Sequence, residues 1–216
     1  MAFILVLCWC VLIINSALAT EDPALAIARK VQTLYEGTKS FVADFEQEVY
    51  WRRGQEIRLS KGKVWFKKPG LMRWEYAWPE PMLIVCDGRL VYVYSQADNQ
   101  VMVFPSSKAL SPKVTLGFMS GKGNLLRDFE ILGYVEEKDK VALDLRPKLK
   151  NAQVERLRLV VDRKSGLIKE IWFWDYLGNL TKIRFQRLRR NVALDNRLFH
   201  FTPPKGVEII RESENG

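Results

Sequence analysis

Apolar and polar residues alternate with period two along most of this chain, the signature of strands with one buried face. The pattern is densest from Gly62 to Gly88. Pro69-Gly70, Pro79/Pro81 and Asp87-Gly88 break that stretch into three strands, because Pro fixes φ and removes a ladder donor while Gly permits φ > 0. In the middle strand Met72, Trp74, Tyr76 and Trp78 point one way, and Leu71, Arg73 and Glu75 the other. One face is therefore large and aromatic. Phe41–Trp51 alternates likewise, with Phe41, Ala43 and Phe45 opposite Val42, Asp44 and Glu46. Glu56–Phe66, Met82–Cys86, Arg89–Tyr94 and Gln100–Phe104 are further strands. So are Phe129–Val135, Val141–Arg146, Glu155–Val161, Leu167–Trp174 and Leu180–Leu188; Asp195–Phe199 reads as a short helical turn, and Phe199–Thr202, Pro203-Pro204-Lys205-Gly206 and Val207–Ile210 close the fold.

Two stretches depart from this period. Asp22-Pro23 caps a helix whose stripe is Leu25, Ala28, Val31 and Leu34/Tyr35, with Gly37 as its stop. Ser111-Pro112 starts a second, apolar helix through Val114, Leu116, Phe118 and Met119 before Gly121 and Gly123. The short turns between strands predict antiparallel pairing, since parallel neighbours need crossovers of a dozen or more residues. The expected fold is mainly β with α: about 11 strands in one antiparallel sheet, with two or three helices over it. A sheet of that size must curl or close.

Composition sharpens this picture. From Phe41 to Phe104, 12 of 64 residues are aromatic, against 12% of the whole chain. A wide barrel around an apolar ligand uses such enrichment; an aromatic-rich filled core is the alternative. The 34 basic and 25 acidic residues give a net charge of +9, spread along the sequence. No recognition helix, P-loop or zinc-finger spacing points to nucleic acid.

The first residues read as targeting. Ala2–Ile14 is an unbroken apolar run, short of the roughly 20 residues a spanning helix needs. Ala17-Leu18-Ala19 behind it is an A-x-A cleavage signal. Residues 1–19 are expected to be a signal peptide and 20–216 a single domain. No Lys or Arg precedes the apolar run, and an uncleaved anchor is the alternative. Cys8 and Cys10 fall in the leader, which leaves Cys86 as a lone, buried-type cysteine.

Catalytic chemistry is missing. A single histidine, His200, makes a catalytic triad or a His-rich metal site improbable. The carboxylates sit on strand faces and in turns. The chain reads as an exported binding protein and not an enzyme, with an apolar interior suited to lipid.

Three motifs carry a family resemblance: Phe41-Val42-Ala43-Asp44-Phe45-Glu46-Gln47, the run from Gly62 to Trp74, and Ile84-Val85-Cys86-Asp87-Gly88. With the tail Phe199-His200-Phe201-Thr202-Pro203-Pro204-Lys205-Gly206-Val207, they resemble the periplasmic outer-membrane lipoprotein carriers, the LolA family. The resemblance implies an incompletely closed antiparallel barrel of 11 strands, with three helices as a lid over a hydrophobic cavity. It implies a monomeric periplasmic shuttle without cofactor. Such a shuttle takes acylated lipoproteins from an inner-membrane ABC transporter and passes them to an outer-membrane acceptor. By the same resemblance Phe41, Phe45, Met72 and Trp74 line the cavity, and Leu116, Phe118 and Met119 belong to the lid. Lys68 stands where the family has an arginine tied to cargo release, and Cys86 where serine is usual. A carrier or sensor of another lipid or apolar ligand on the same scaffold is the alternative function.

Overall fold

The structure is a computed structural model and describes residues 22–53, 56–106, 123–149 and 154–211. It opens with α1 (Pro23–Glu36), followed by β1 (Ser40–Trp51), β2 (Glu56–Lys67) and β3 (Leu71–Trp78). Then come β4 (Met82–Asp87), β5 (Leu90–Ser95), β6 (Gln100–Pro105) and the short α2 (Leu125–Asp128). The second half holds β7 (Phe129–Glu137), β8 (Lys140–Pro147), β9 (Val154–Asp162), β10 (Ile168–Asp175) and β11 (Leu180–Arg190). A 3-10 turn (Asn196–Phe199) leads to β12 (Glu208–Arg211).

The strands form one sheet of 12, in the order β12-β6-β5-β4-β3-β2-β1-β11-β10-β9-β8-β7. The expected antiparallel sheet of about 11 strands is present, with 12 strands among the described residues, and one pairing departs from it: β12 pairs with β6 in parallel. Parallel pairing is available because the whole second half of the chain separates those two strands. The 3-10 turn falls where the sequence predicts a helical turn at Asp195–Phe199. The tail around it crosses the outer face, where Lys67 Nζ donates to the Leu194 carbonyl at 2.7 Å and Arg73 Nη1 donates to the Leu198 carbonyl at 3.1 Å. Phe199 is buried there, and Phe201 packs on Tyr92 and Tyr94, each ring pair 5.7 Å apart.

The sheet curls. Between β3 and β11 lie β2 and β1, a separation of roughly 14 Å in a flat sheet at about 4.8 Å per step. Yet the rings of Trp74 and Phe185 are 6.3 Å apart. Residues of both wings, from Phe41 and Trp74 to Leu143 and Leu157, share one core cluster with α1.

α1 closes over that core. The Asp22 carboxylate accepts from the Ala24 amide at 2.9 Å, and Pro23 occupies the first turn. The buried stripe is Ala24, Ile27, Ala28, Val31 and Tyr35, rotated from the expected one, so that Leu25 and Leu34 are only half-buried. Gln32 sits in the same stripe and accepts the Leu125 amide at 2.7 Å, which fastens α1 to the start of α2. The second predicted helix, at 111–120, lies outside the described residues.

Candidate functional site

The inner face of β1–β3 and β11 is an aromatic wall. Phe41, Phe45, Met72 and Trp74, the four described residues that the resemblance assigns to the cavity lining, all lie on it, and each is no more than 8% exposed. Phe41 stacks on Phe66 at 5.2 Å. Phe45 meets Trp74 at 4.8 Å and Tyr76 at 4.9 Å, both edge to face, an arrangement worth about 0.5–1.5 kcal/mol per pair beyond area burial. Leu116, Phe118 and Met119 lie outside the described residues. Trp78, expected on the same face, is 51% exposed. A register shift between Lys61 and Gly62 separates it from the wall.

One residue that the sequence reading did not single out makes this geometry possible. Gly62 sits between Phe45 and Tyr76 in the ladder. A Cβ there would stand 2.8 Å from Phe45 Cε1 and 1.9 Å from the Glu75 carbonyl oxygen. With no side chain on β2 at that point, the Phe45 ring crosses it and reaches the aromatics of β3. Phe66 and Phe185 were also missed. Phe66 follows from the alternation Val64/Phe66, while Phe185 needed the β1–β11 pairing that only the fold reveals.

The wall is chemically quiet. Its polar atoms are few: the Tyr76 hydroxyl donates to Gln47 Oε1 at 3.0 Å, and burial pushes that phenol up to about 12. Burial also raises the Tyr35 phenol, which accepts the Ile168 amide at 3.3 Å. Both stay neutral at physiological pH. No group of three or more His, Cys, Asp or Glu suited to a metal occurs among the described residues. The wall is thus an apolar, uncharged surface among the described residues. On the opposite face of β1–β3, a groove of about 500 Å³ is lined by charged side chains that are largely paired with one another, including Asp44 with Lys63 and Arg187, and Glu46 with Lys61.

Lys68 lies apart from the wall, at the C-terminal end of α1. Its ammonium donates to the Tyr35 carbonyl at 2.7 Å and the Glu36 carbonyl at 3.1 Å. Those carbonyls are among the last of the helix, which lack intrahelical partners and form the negative end of its dipole. Partial burial lowers the Lys68 pKa, and Glu36 opposes the shift. Arg190 works beside it from β11, donating to the Leu34 carbonyl at 3.3 Å and to Thr38 Oγ1 at 3.0 Å. Two cations, Lys68 from the β2–β3 turn and Arg190 from β11, thus hold one helix end. Arg190 carries no motif in the sequence, and only its place in the ladder opposite Phe41 brings it there.

Comparison with known proteins agrees with this fold. The family model for outer membrane lipoprotein carrier protein LolA matches residues 36–202. The outer-membrane lipoprotein carrier protein of Nitrosomonas europaea is 32% identical over 202 residues, covering 94% of this chain and 97% of that protein. The protein of the same name from Dechloromonas aromatica is 31% identical over 193 residues, covering 88% and 91%. Among solved structures, an uncharacterized conserved protein from Thermus thermophilus shares the fold, with a TM-score of 0.54 at 17% identity over 88% of this chain and 100% of that one. The chain belongs to the LolA family of outer-membrane lipoprotein carrier proteins.

Proposed function

We propose that this chain is a periplasmic carrier that holds lipoprotein acyl chains against the aromatic wall and moves lipoproteins from the inner to the outer membrane. The observation that carries the reading is the wall itself: Phe41, Phe45, Met72 and Trp74 gathered on one apolar, uncharged inner face in a member of a carrier family. Carriage and not catalysis is the family's business. Each buried CH₂ contributes about 0.8 kcal/mol, so an acyl chain of about 16 carbons represents roughly 12 kcal/mol gross. A carrier must offset much of that and still let go. Contacts broken on loading and remade on release do so, and the bonds from Lys68 to the end of α1 are of that kind.

In this reading Leu116, Phe118 and Met119 provide the apolar side of a cover, Lys68 gates release, and residues 1–19 are removed on export. The donor is an inner-membrane ABC transporter and the receiver an outer-membrane acceptor. Native mass spectrometry of the protein purified from an exporting cell tests the reading. The carrier should appear with added masses of acylated lipoproteins; masses of another lipid alone would replace lipoproteins as cargo.

A further inference from the structure

The face of the sheet turned away from the core carries two adjacent rows of side chains in cross-strand register. One runs Ile57, Tyr50, Leu180, Trp174, Arg156 over β2, β1, β11, β10 and β9. The next runs Leu59, Glu48, Lys182, Trp172, Arg158 over the same strands. At about 4.8 Å per strand each row spans roughly 19 Å.

Cations lie over the rings of this strip. The Arg156 guanidinium is 3.9 Å from the Trp174 ring centre, and Lys182 Nζ is 4.3 Å from that of Trp172 and 4.8 Å from that of Tyr50. Arg158 pairs directly with Asp144 at 2.7 Å, whereas Arg156 acts on that carboxyl from farther away, and among the described residues neither Arg156 nor Lys182 makes a direct ion pair. Their charge remains open to an anion from outside.

At one end the strip runs into two adjoining hairpin tips. The Arg52 amide donates to Asn179 Oδ1 at 3.1 Å and ties the β1–β2 tip to the β10–β11 tip. Together the tips expose Trp51 (46%), Tyr176 (62%) and Leu177 (64%), with Arg52 and Arg53 exposed beside them.

We propose that this strip and its paired hairpin tips dock on the surface of an anionic phospholipid bilayer. Trp and Tyr settle at the headgroup level of a membrane, and Arg and Lys reach phosphate from there. A net charge of +9 favours approach to such a surface. The apolar residues protrude at tips and do not line a groove, which suits a fluid, deformable layer. No helix of the described residues is long and apolar enough to cross a membrane, so the contact is interfacial. This site lies on the face opposite the aromatic wall and goes beyond acyl-chain carriage.

Flotation of the mature chain with vesicles of phosphatidylethanolamine and phosphatidylglycerol, against vesicles of phosphatidylcholine alone, tests the proposal. Binding should require the anionic lipid and weaken with salt. Tyr176→Ser/Leu177→Ser and, separately, Arg156→Ser/Lys182→Ser should each weaken it on the order of tenfold or more. Met102→Ser, exposed elsewhere on the sheet, should leave it unchanged. Equal binding to both vesicle types, or parental binding by both double variants, overturns the proposal. So does recognition of an acidic protein without vesicle binding. Uptake of an apolar dye, read on the same variants, should match the parent, so that a failure of docking and a failure of carriage remain distinguishable.

Discussion

Phe45 lies across Gly62, its Cε1 2.8 Å from the point where a Cβ on Gly62 would stand. The glycine is what lets a ring on β1 touch Trp74 and Tyr76 on β3, and the same missing side chain admits the Glu75 carbonyl. Gly62→Ala must therefore displace backbone as well as a ring. The expected cost is about 1–3 kcal/mol, the range for overpacked cores. Urea unfolding should show a lower midpoint with an unchanged slope. A midpoint equal to the parent's would mean that the ladder tolerates the methyl group and that Gly62 is incidental.

Lys68 is expected to act on release and not on uptake. If its two bonds to the end of α1 are broken on loading, as the proposed function has it, their loss removes part of the drive for cargo to leave. Lys68→Leu should load normally, retain cargo about tenfold longer, and fail in hand-off to the acceptor; a charged hydrogen bond of this kind is worth about 1.5–3 kcal/mol before solvent exposure discounts it. Lys68→Arg, which keeps the charge and adds donors, should hand off at least as well as the parent. Normal hand-off by Lys68→Leu would contradict the gating role.

The sequence disclosed the elements well wherever short-range rules govern them. Strand period, Pro and Gly breakers and the Asp22-Pro23 cap placed α1 and β1–β11 within a few residues of their positions. What it could not disclose depends on long-range geometry. The bulge at Lys61/Gly62 turns Trp78 outward, and no local signal marks it. The parallel β12 and the crossing of Phe199–Thr202 require knowing that the tail returns to β6. Phe41, Phe45, Met72 and Trp74 were legible through the resemblance and the alternation. Gly62, Phe185 and Arg190 were not, because their partners lie on strands distant in sequence.

The tie between α1 and α2 makes a separate prediction. Gln32 is 7% exposed and supplies the acceptor for the Leu125 amide. Gln32→Leu keeps the volume and removes the acceptor, leaving a buried N–H without this partner. The expected loss is about 1–3 kcal/mol, seen as a lower thermal midpoint, with faster amide exchange at Leu125. Exchange at Leu125 no faster than in the parent would show that another group takes the bond.

Acid stability should depend on Asp144. Its two hydrogen bonds from Arg158, both 2.7 Å, hold the carboxyl below its ordinary 3.8, and burial opposes the shift. A carboxyl whose folded pKa is depressed adds stability that is present well above its unfolded pKa and lost as the pH falls through the folded value. The stability difference between parent and Asp144→Asn should thus be widest near neutrality and shrink below about pH 3.8. A difference that stays constant with pH would place the contribution of Asp144 in packing and not in charge.

Trp74 gives the most direct test of carriage, since it is 5% exposed in the middle of the wall. A photoreactive phenylalanine at that position, irradiated in the exporting cell, should form adducts with lipoproteins, and those adducts should vanish when lipoprotein acylation is blocked. Properly folded protein without lipoprotein adducts would mean that Trp74 belongs to a filled core and that acyl chains do not reach the wall.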